Sequence, residues 1–330
     1  MRILIVRLSS LGDIVTSMVV LQFIKEKYPH AKIEWLVDSR FTNILEDNED
    51  LDVIHSVSLK KHRKNIIKAI FEVTKVIRKL GRFDLIIDMQ GLMKSAIISR
   101  AIGKNVVGFD RKSVKESLSS LLYKSKAKIS FCEHILKRNF ALVEKGLDIK
   151  ASLGDIMQKK SYLPFKTPTL NLEPYFSKDK KNIIAILGGS WPSKIYPKES
   201  LKEVISRLKE NVLILWSSPE EHERAKWIAA RSSNARLLPV MSLNDVKALI
   251  SKADVILGND TGPTHMAWAL NRPSVTILGC TSVTRIPENP KNLAVTSKMC
   301  VNPSKIDKLD VSINEIPPYE IVEAVQSLLK

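Results

Sequence analysis

The chain has 330 residues, 44% of them hydrophobic and 26% charged, an ordinary globular composition; its length exceeds the roughly 250–300 residues at which single cores stop growing, so two domains are expected. The formal net charge of +17 is unevenly placed, with −2 in residues 1–50, +13 in 51–150 and +6 in 151–330, which points to a phosphate-rich partner or to a basic solvated face. Three scattered cysteines, Cys132, Cys280 and Cys300, lack any C-x-x-C spacing, which argues against a disulfide framework or zinc site and favours a reducing cytoplasm.

In chain order, MRILIVRL is too short for a signal-peptide core and meets Arg7 at once, and no run approaches the roughly 18 apolar residues of a membrane span. A soluble or at most peripheral protein is expected. RILIVRL reads as a strand; RLSSLGDIV, Arg7 to Val15, then turns into the amphipathic segment IVTSMVVLQFIKEKYP. Asp13, directly behind Gly12, suits a helix cap, because Ser and Asp accept hydrogen bonds from the free N–H groups of a first turn. It also suits a functional carboxylate, and the residues alone leave both open. KIEWLVD and DVIHSVS follow as strands, and KKHRK, Lys60 to Lys64, concentrates five basic or potentially basic groups after the second of them. Beyond the helix candidate NIIKAIFEVTKVIRKL, the strand DLIIDMQ leads into DMQGLMKSA. That stretch sets Asp88, Gln90, Gly91, Lys94 and Ser95 at another strand-to-helix junction, before the helix LMKSAIISRAI and the strand NVVGF. Alternation of this kind implies parallel strands with right-handed crossovers, hence a doubly wound sheet.

Residues 148–180 lapse into a proline-, serine- and lysine-rich stretch that reads as the interdomain connection. The rhythm then resumes with the strands NIIAILGG, VLILWSS, ARLLPV, ADVILGND and SVTILGC, separated by ESLKEVISRLKE, EEHERAKWIAARS, LNDVKALISK and PTHMAWALN as helices. Ligands of such sheets bind beyond the carboxyl ends of the strands, so the loops there are the places to search. GGSWPSK, Gly188 to Lys194, offers glycines for close backbone approach, the Ser190 hydroxyl and the Lys194 cation. WSSPEEHE offers Glu220, Glu221 and Glu223, either for ribose hydroxyls or simply for the helix dipole. In GNDTGPTHMAW, Asp260 and Thr261 are potential caps, Gly262 allows close approach and His265 falls in the first turn; such a turn suits an anion such as a diphosphate, or is a well-capped helix.

No G-x-x-x-x-G-K-[ST] or G-x-G-x-x-G spacing occurs, which weakens kinase and dehydrogenase readings. With no RNP-like aromatic motif and an acidic opening segment, no nucleic-acid partner is expected. The first half gathers cations and Asp13; the second gathers features that cradle phosphate. A two-substrate transferase, with an anionic acceptor on one domain and a nucleotide donor on the other, accounts for both.

Taken together, SSLGDIV, D-x-Q-G-L-x-K-S and NDTGPTHMAWAL resemble the bacterial heptosyltransferases of glycosyltransferase family 9 over nearly the whole chain. The DMQGLMKSA stretch and the basic KKHRK loop most resemble the members that add the first heptose of the lipopolysaccharide inner core; members with another acceptor are the alternative, and a sugar-nucleotide epimerase a more distant one. The resemblance implies a GT-B architecture of two Rossmann-like doubly wound α/β domains facing a cleft. Residues 1–165 would form the acceptor-binding domain, 166–315 the ADP-sugar-binding domain, and 316–330 a helix that packs back on the first.

The reaction it implies is inverting transfer of heptose from ADP-L-glycero-β-D-manno-heptose to the first Kdo of Kdo-lipid A, at the anionic cytoplasmic face of the inner membrane, without metal or cofactor. It assigns the general base to Asp13, the donor sugar to Gly189, Ser190, Lys194, Glu221, Asp260, Thr261, Gly262 and His265, and the acceptor to Ser10, Gly12, Lys60, Lys61, Arg63, Gln90 and Lys94. Two departures from the family pattern stand out: lysines where an arginine-rich loop is usual, which lack its bidentate phosphate geometry, and GGSW where a threonine pair is common.

Overall fold

A computed structural model describes residues 1–58, 66–299 and 306–330, without the side chains of 66–70. The chain divides into two compact units, Met1–Tyr162 and Leu163–Lys330. In the first, the elements are β1 (Arg2–Val6), α1 (Leu11–Met18), α2 (Val20–Lys27), β2 (Lys32–Asp38), α3 (Thr42–Leu45), β3 (Val53–Val57), α4 (Ile66–Leu80), β4 (Leu85–Asp88), α5 (Met93–Ile102), β5 (Val106–Phe109), β6 (Ser125–Ala127), α6 (Ile135–Leu147) and α7 (Leu153–Met157). In the second they are β7 (Asn182–Ile186), α8 (Lys198–Arg207), β8 (Asn211–Leu215), α9 (Pro219–Ala229), β9 (Ala235–Leu237), α10 (Leu243–Lys252), β10 (Val255–Asn259), α11 (Gly262–Ala269), β11 (Ser274–Leu278), β12 (Asn292–Thr296) and α12 (Pro318–Leu329).

Each unit has one six-stranded sheet, ordered β3-β2-β1-β4-β5-β6 in the first and β12-β11-β10-β7-β8-β9 in the second, with every pairing parallel. Read from the third strand of each unit, the two orders are the same, the doubly wound pattern that the alternation predicts. The central strands are apolar without alternation because both faces are covered: Ile3, Leu4, Ile5 and Val6 of β1 are fully buried, as are Ile183, Ile184 and Ala185 of β7. The order reverses between β1 and β4 and between β7 and β10. Ligands of such sheets sit in the crevice at these reversals, so the loops after those four strands are the ones to inspect.

Three differences from the sequence reading have plain causes. The edge strand β6 (SKA) is short and polar; β12 (NLAVT), also at an edge, is half buried and follows a proline-rich loop. Neither carries the long apolar run that marked the interior strands. The segment after Asp13 is two helices rather than one, with Val19 between them. In the C-terminal helix, Ile321, Val322 and Val325 of α12 belong to the second unit's core, and the helix packs on α8 and on β10, β11 and β12. Its apolar face is therefore used within its own unit.

Candidate functional site

In the first unit, the loops at the sheet reversal are tied together by two side chains. The Gln90 Oε1 accepts from the Leu8 N–H at 2.9 Å and the Ser9 N–H at 3.0 Å, and the Arg7 guanidinium donates to the Met89 carbonyl. Asp88, fully buried at the end of β4, builds the second loop: its Oδ1 accepts from the N–H groups of Gln90 (2.9 Å) and Gly91 (3.2 Å), and its Oδ2 accepts from the Tyr123 hydroxyl at 2.8 Å. Gly91 has φ +67°, a conformation that L side chains rarely adopt. Burial pushes the Asp88 carboxyl above its usual range, against these hydrogen bonds. Asp88→Ala would remove the acceptor of two buried donors, the Gly91 N–H and the Tyr123 hydroxyl, and of the half-buried Gln90 N–H, at roughly 1–3 kcal/mol for each left unpaired; urea unfolding is expected to show a loss of about 2 kcal/mol or more, and a loss under about 1 kcal/mol would remove Asp88 from the loop's support.

Asp13 sits in the first turn of α1. Its Oδ1 pairs with the Arg7 guanidinium at 2.8 Å, and its Oδ2 accepts from the Ser10 N–H at 3.1 Å and the Ser10 hydroxyl at 2.8 Å. The capping reading is met, since the carboxylate caps the turn, and its side chain stays 40% exposed while Arg7 beneath it is only 9% exposed. The carboxylate thus lies part-exposed on a buried cation. Gly12 is buried and Ser10 exposed beside it. Lys94 lies on the exposed face of α5. Lys60, Lys61 and Arg63 fall outside the described residues.

The second unit repeats the device with different chemistry. Asn259, buried at the end of β10, donates through Nδ2 to the carbonyls of Leu187 and Gly188, both at 3.0 Å, and accepts from the Tyr196 N–H at 3.1 Å. This fixes the GGSWPSK loop against β10. Lys194, in the short 3-10 turn Pro192–Lys194, then reaches the Asp260 Oδ2 at 2.5 Å, and the His265 Nε2 lies 3.0 Å from the Asp260 Oδ1. Burial alone would raise the Asp260 carboxyl, but the His265 hydrogen bond and the Lys194 charge outweigh it and hold the group well below the usual carboxylate range. Thr261 is the N-cap residue of α11, but its hydroxyl makes no cap hydrogen bond, and the Asp260 carboxylate is engaged by Lys194 and His265. The capping expected of this pair is not made by their side chains.

Glu221 belongs to the same corner. Its Oε2 accepts from the Ser217 N–H and hydroxyl at 2.8 and 2.9 Å, and a Cβ at Gly188 would come within 2.6 Å of its Oε1. Gly189 and Ser190 continue the loop, with Ser190 exposed. The structure therefore brings Gly189, Lys194, Glu221, Asp260 and His265 together around the sheet reversal, with Gly262 opening α11 beside them.

Sequence reading missed Arg7, which supports Asp13, and Asn259, which anchors the loop. It also missed the buried Trp191 Nε1 and Thr281 Oγ1, which have no hydrogen-bond partner among the described residues. Lys194 lies 4.9 Å above the Trp191 ring, and Cys280, next to Thr281, touches the Ser193 hydroxyl at 3.2 Å. Both orphan groups thus sit on loops that adjoin Lys194. The motif NDTG held the signal for Asn259; an arginine directly after a strand carries no signal of its own.

A sequence model of glycosyltransferase family 9 (heptosyltransferase) matches residues 73–310. The lipopolysaccharide heptosyltransferase 1 of Campylobacter coli is 35% identical over 99% of both chains. The protein of the same name from Pseudomonas aeruginosa is 30% identical over 86% of this chain and 79% of its own. Among solved structures, the Escherichia coli heptosyltransferase WaaC with ADP-2-deoxy-2-fluoro heptose superposes with a TM-score of 0.78 at 25% identity, over 99% of both chains.

Proposed function

The chain belongs to glycosyltransferase family 9, with the GT-B-like fold of two Rossmann-like units and the role of a heptosyltransferase in lipopolysaccharide core synthesis; we propose that it transfers L-glycero-D-manno-heptose from ADP-heptose to the first Kdo of Kdo-lipid A with inversion. The observation that carries this reading is the difference between the two sheet reversals. One presents an outward carboxylate on a buried arginine, and the other a lysine beside a helix start that no side chain caps.

In the proposed reaction an acceptor hydroxyl oxygen forms a bond to the anomeric carbon as the bond from that carbon to the ADP oxygen breaks. A single displacement inverts the centre. The hydroxyl proton passes to the Asp13 carboxylate, and the electron pair leaves with ADP. Lys194 and the N-terminus of α11 offset the charge that develops on the diphosphate. Asp260 and His265 hold the Lys194 ammonium in place, Glu221 receives ribose hydroxyls, and the Gly189, Ser190, Thr261 and Gly262 backbone follows the diphosphate and sugar. On the acceptor side, Ser10, Gly12 and Lys94 adjoin Asp13's loop or the helix behind it. Gln90 shapes that loop through its Oε1, which leaves its amide N–H groups for a ligand. Lys60, Lys61 and Arg63 are proposed to meet acceptor phosphates.

Incubation with ADP-heptose and Kdo-bearing lipid A, followed by mass measurement, is expected to show a gain of one heptose on the acceptor. A gain only on an acceptor that already carries one heptose would reassign the chain to the second transfer of the series. Loss of the donor without a change in acceptor mass would refute transfer altogether.

A further inference from the structure

The basic charge of the first unit coincides with an apolar surface that the proposed chemistry does not use. The elements α4, α5 and the 3-10 turn Ser117–Leu122 cover one face of the first sheet, with α5 packed against both of the others. Their inner sides, among them Val73, Val76, Ile98, Ile102 and Leu122, share one core. Their outer sides carry large apolar residues in water: Phe71 is 69% exposed, Ile97 55%, Leu118 62% and Leu121 71%. Side chains three apart eclipse in a 3-10 turn, so the two leucines form a single ridge. Scattered exposed apolar residues are normal; four on three adjoining elements mark an interaction surface.

The surroundings identify the partner. Residues 111–128, which contain the leucine ridge, hold six basic side chains and one acidic one, and that acid, Glu116, accepts the Met93 N–H at 2.6 Å. Lys94 and Arg100 flank Ile97 on the exposed face of α5, and Lys115 and Lys124 flank the leucines. A second copy of the chain would bring like charges together. Nucleic acid would call for aromatic stacking platforms, and Phe71 is the one aromatic among these four. Shallow apolar insertion beside cations is the combination that holds proteins to anionic bilayers, where neither signal alone suffices. No helix of the described residues is long and apolar enough to cross a membrane.

We propose that the outer face of α4, α5 and the Ser117–Leu122 turn docks on an anionic phospholipid bilayer, with Leu118 and Leu121 as the inserted ridge. Its use, to bring the first unit to a membrane-held acceptor, rests on the activity proposed above; the physical claim does not.

The full chain is to be floated with vesicles of phosphatidylcholine alone and of phosphatidylcholine mixed with phosphatidylglycerol. Binding is expected only to the anionic vesicles, weakening with salt. Leu118→Ser with Leu121→Ser, and separately Lys115→Glu with Lys124→Glu, should each lower partitioning about tenfold or more without moving the thermal midpoint, since all four side chains are exposed. Equal binding to neutral vesicles, or leucine variants that bind like the parent, would overturn the proposal. So would no vesicle binding at all, whether the leucines instead mediate a dimer or the lysines bind duplex DNA. Heptose transfer to a soluble, deacylated acceptor separates the two readings: vesicle binding without transfer sinks the activity alone, and transfer without vesicle binding sinks the surface alone.

Discussion

Asp13→Ala is expected to lower turnover by about 100-fold or more, the usual scale for loss of a general base, while leaving ADP affinity near normal. The structure complicates the test. Asp13 is also the counter-ion of Arg7, which is buried and whose Nε has no partner among the described residues. Removing the carboxylate therefore leaves a buried guanidinium less compensated, and some loss of activity could come from a disturbed loop. Asp13→Asn separates the two effects. The amide retains an oxygen that can accept from Ser10 or Arg7, so the loop should persist, but it cannot take a proton at neutral pH. Loss of kcat in Asp13→Asn with an unchanged thermal midpoint assigns the chemistry to Asp13. If Asn restores turnover, Asp13 is a positioning residue and the base lies elsewhere.

Lys194→Met is expected to weaken ADP-sugar binding and to destabilise the second unit. Lys194 and Asp260 are 12% and 8% exposed, and removing one partner of a buried pair costs about 3–5 kcal/mol because the other charge is left behind. His265 remains beside Asp260, which favours the lower end. The acid side gives a second readout. Asp260 has a lowered pKa in the folded protein, so it contributes stability above the ordinary aspartate value of about 3.9, and that contribution fades as the pH falls below it. Without Lys194 the carboxyl titrates at a higher pH, and acid unfolding should begin earlier. Lys194→Met combined with Asp260→Asn should recover stability, since no charge is left unpaired, but not donor affinity measured by calorimetry. Recovery of both would show that Lys194 serves the fold alone; unchanged affinity in the single variant would exclude it from the donor site.

Where these side chains lie within each unit was legible in the sequence, for physical reasons. Asp13, Lys194, Glu221, Asp260 and His265 all lie in the loop or first helical turn after an apolar strand, and parallel doubly wound sheets gather such loops at one edge. What the sequence left open was orientation. Asp13 could have been only a cap, and its 40% exposed carboxylate over Arg7 is a fact of packing. Thr261 had the identity of a cap, but its hydroxyl makes no such bond. The pairings that stayed hidden are those between residues distant in sequence. Asn259 reaches Leu187, 72 residues away, and Gln90 reaches Leu8, 82 residues away; no local pattern encodes either pairing.

The two loop-bridging carboxamides hold the facing loop through different atoms, although Asn259 also accepts from the Tyr196 N–H. Gln90 accepts, and so withdraws the N–H groups of Leu8 and Ser9 from any ligand; Asn259 donates through its amide, and so withdraws the carbonyls of Leu187 and Gly188. A phosphate can only accept hydrogen bonds, and a carbonyl pointed at it repels it. In the second unit two carbonyl dipoles are thus held on the Asn259 amide, while in the first two N–H groups are held on the Gln90 oxygen. Exchanging the amide's polarity in either unit, rather than its size, is the change this arrangement should tolerate least.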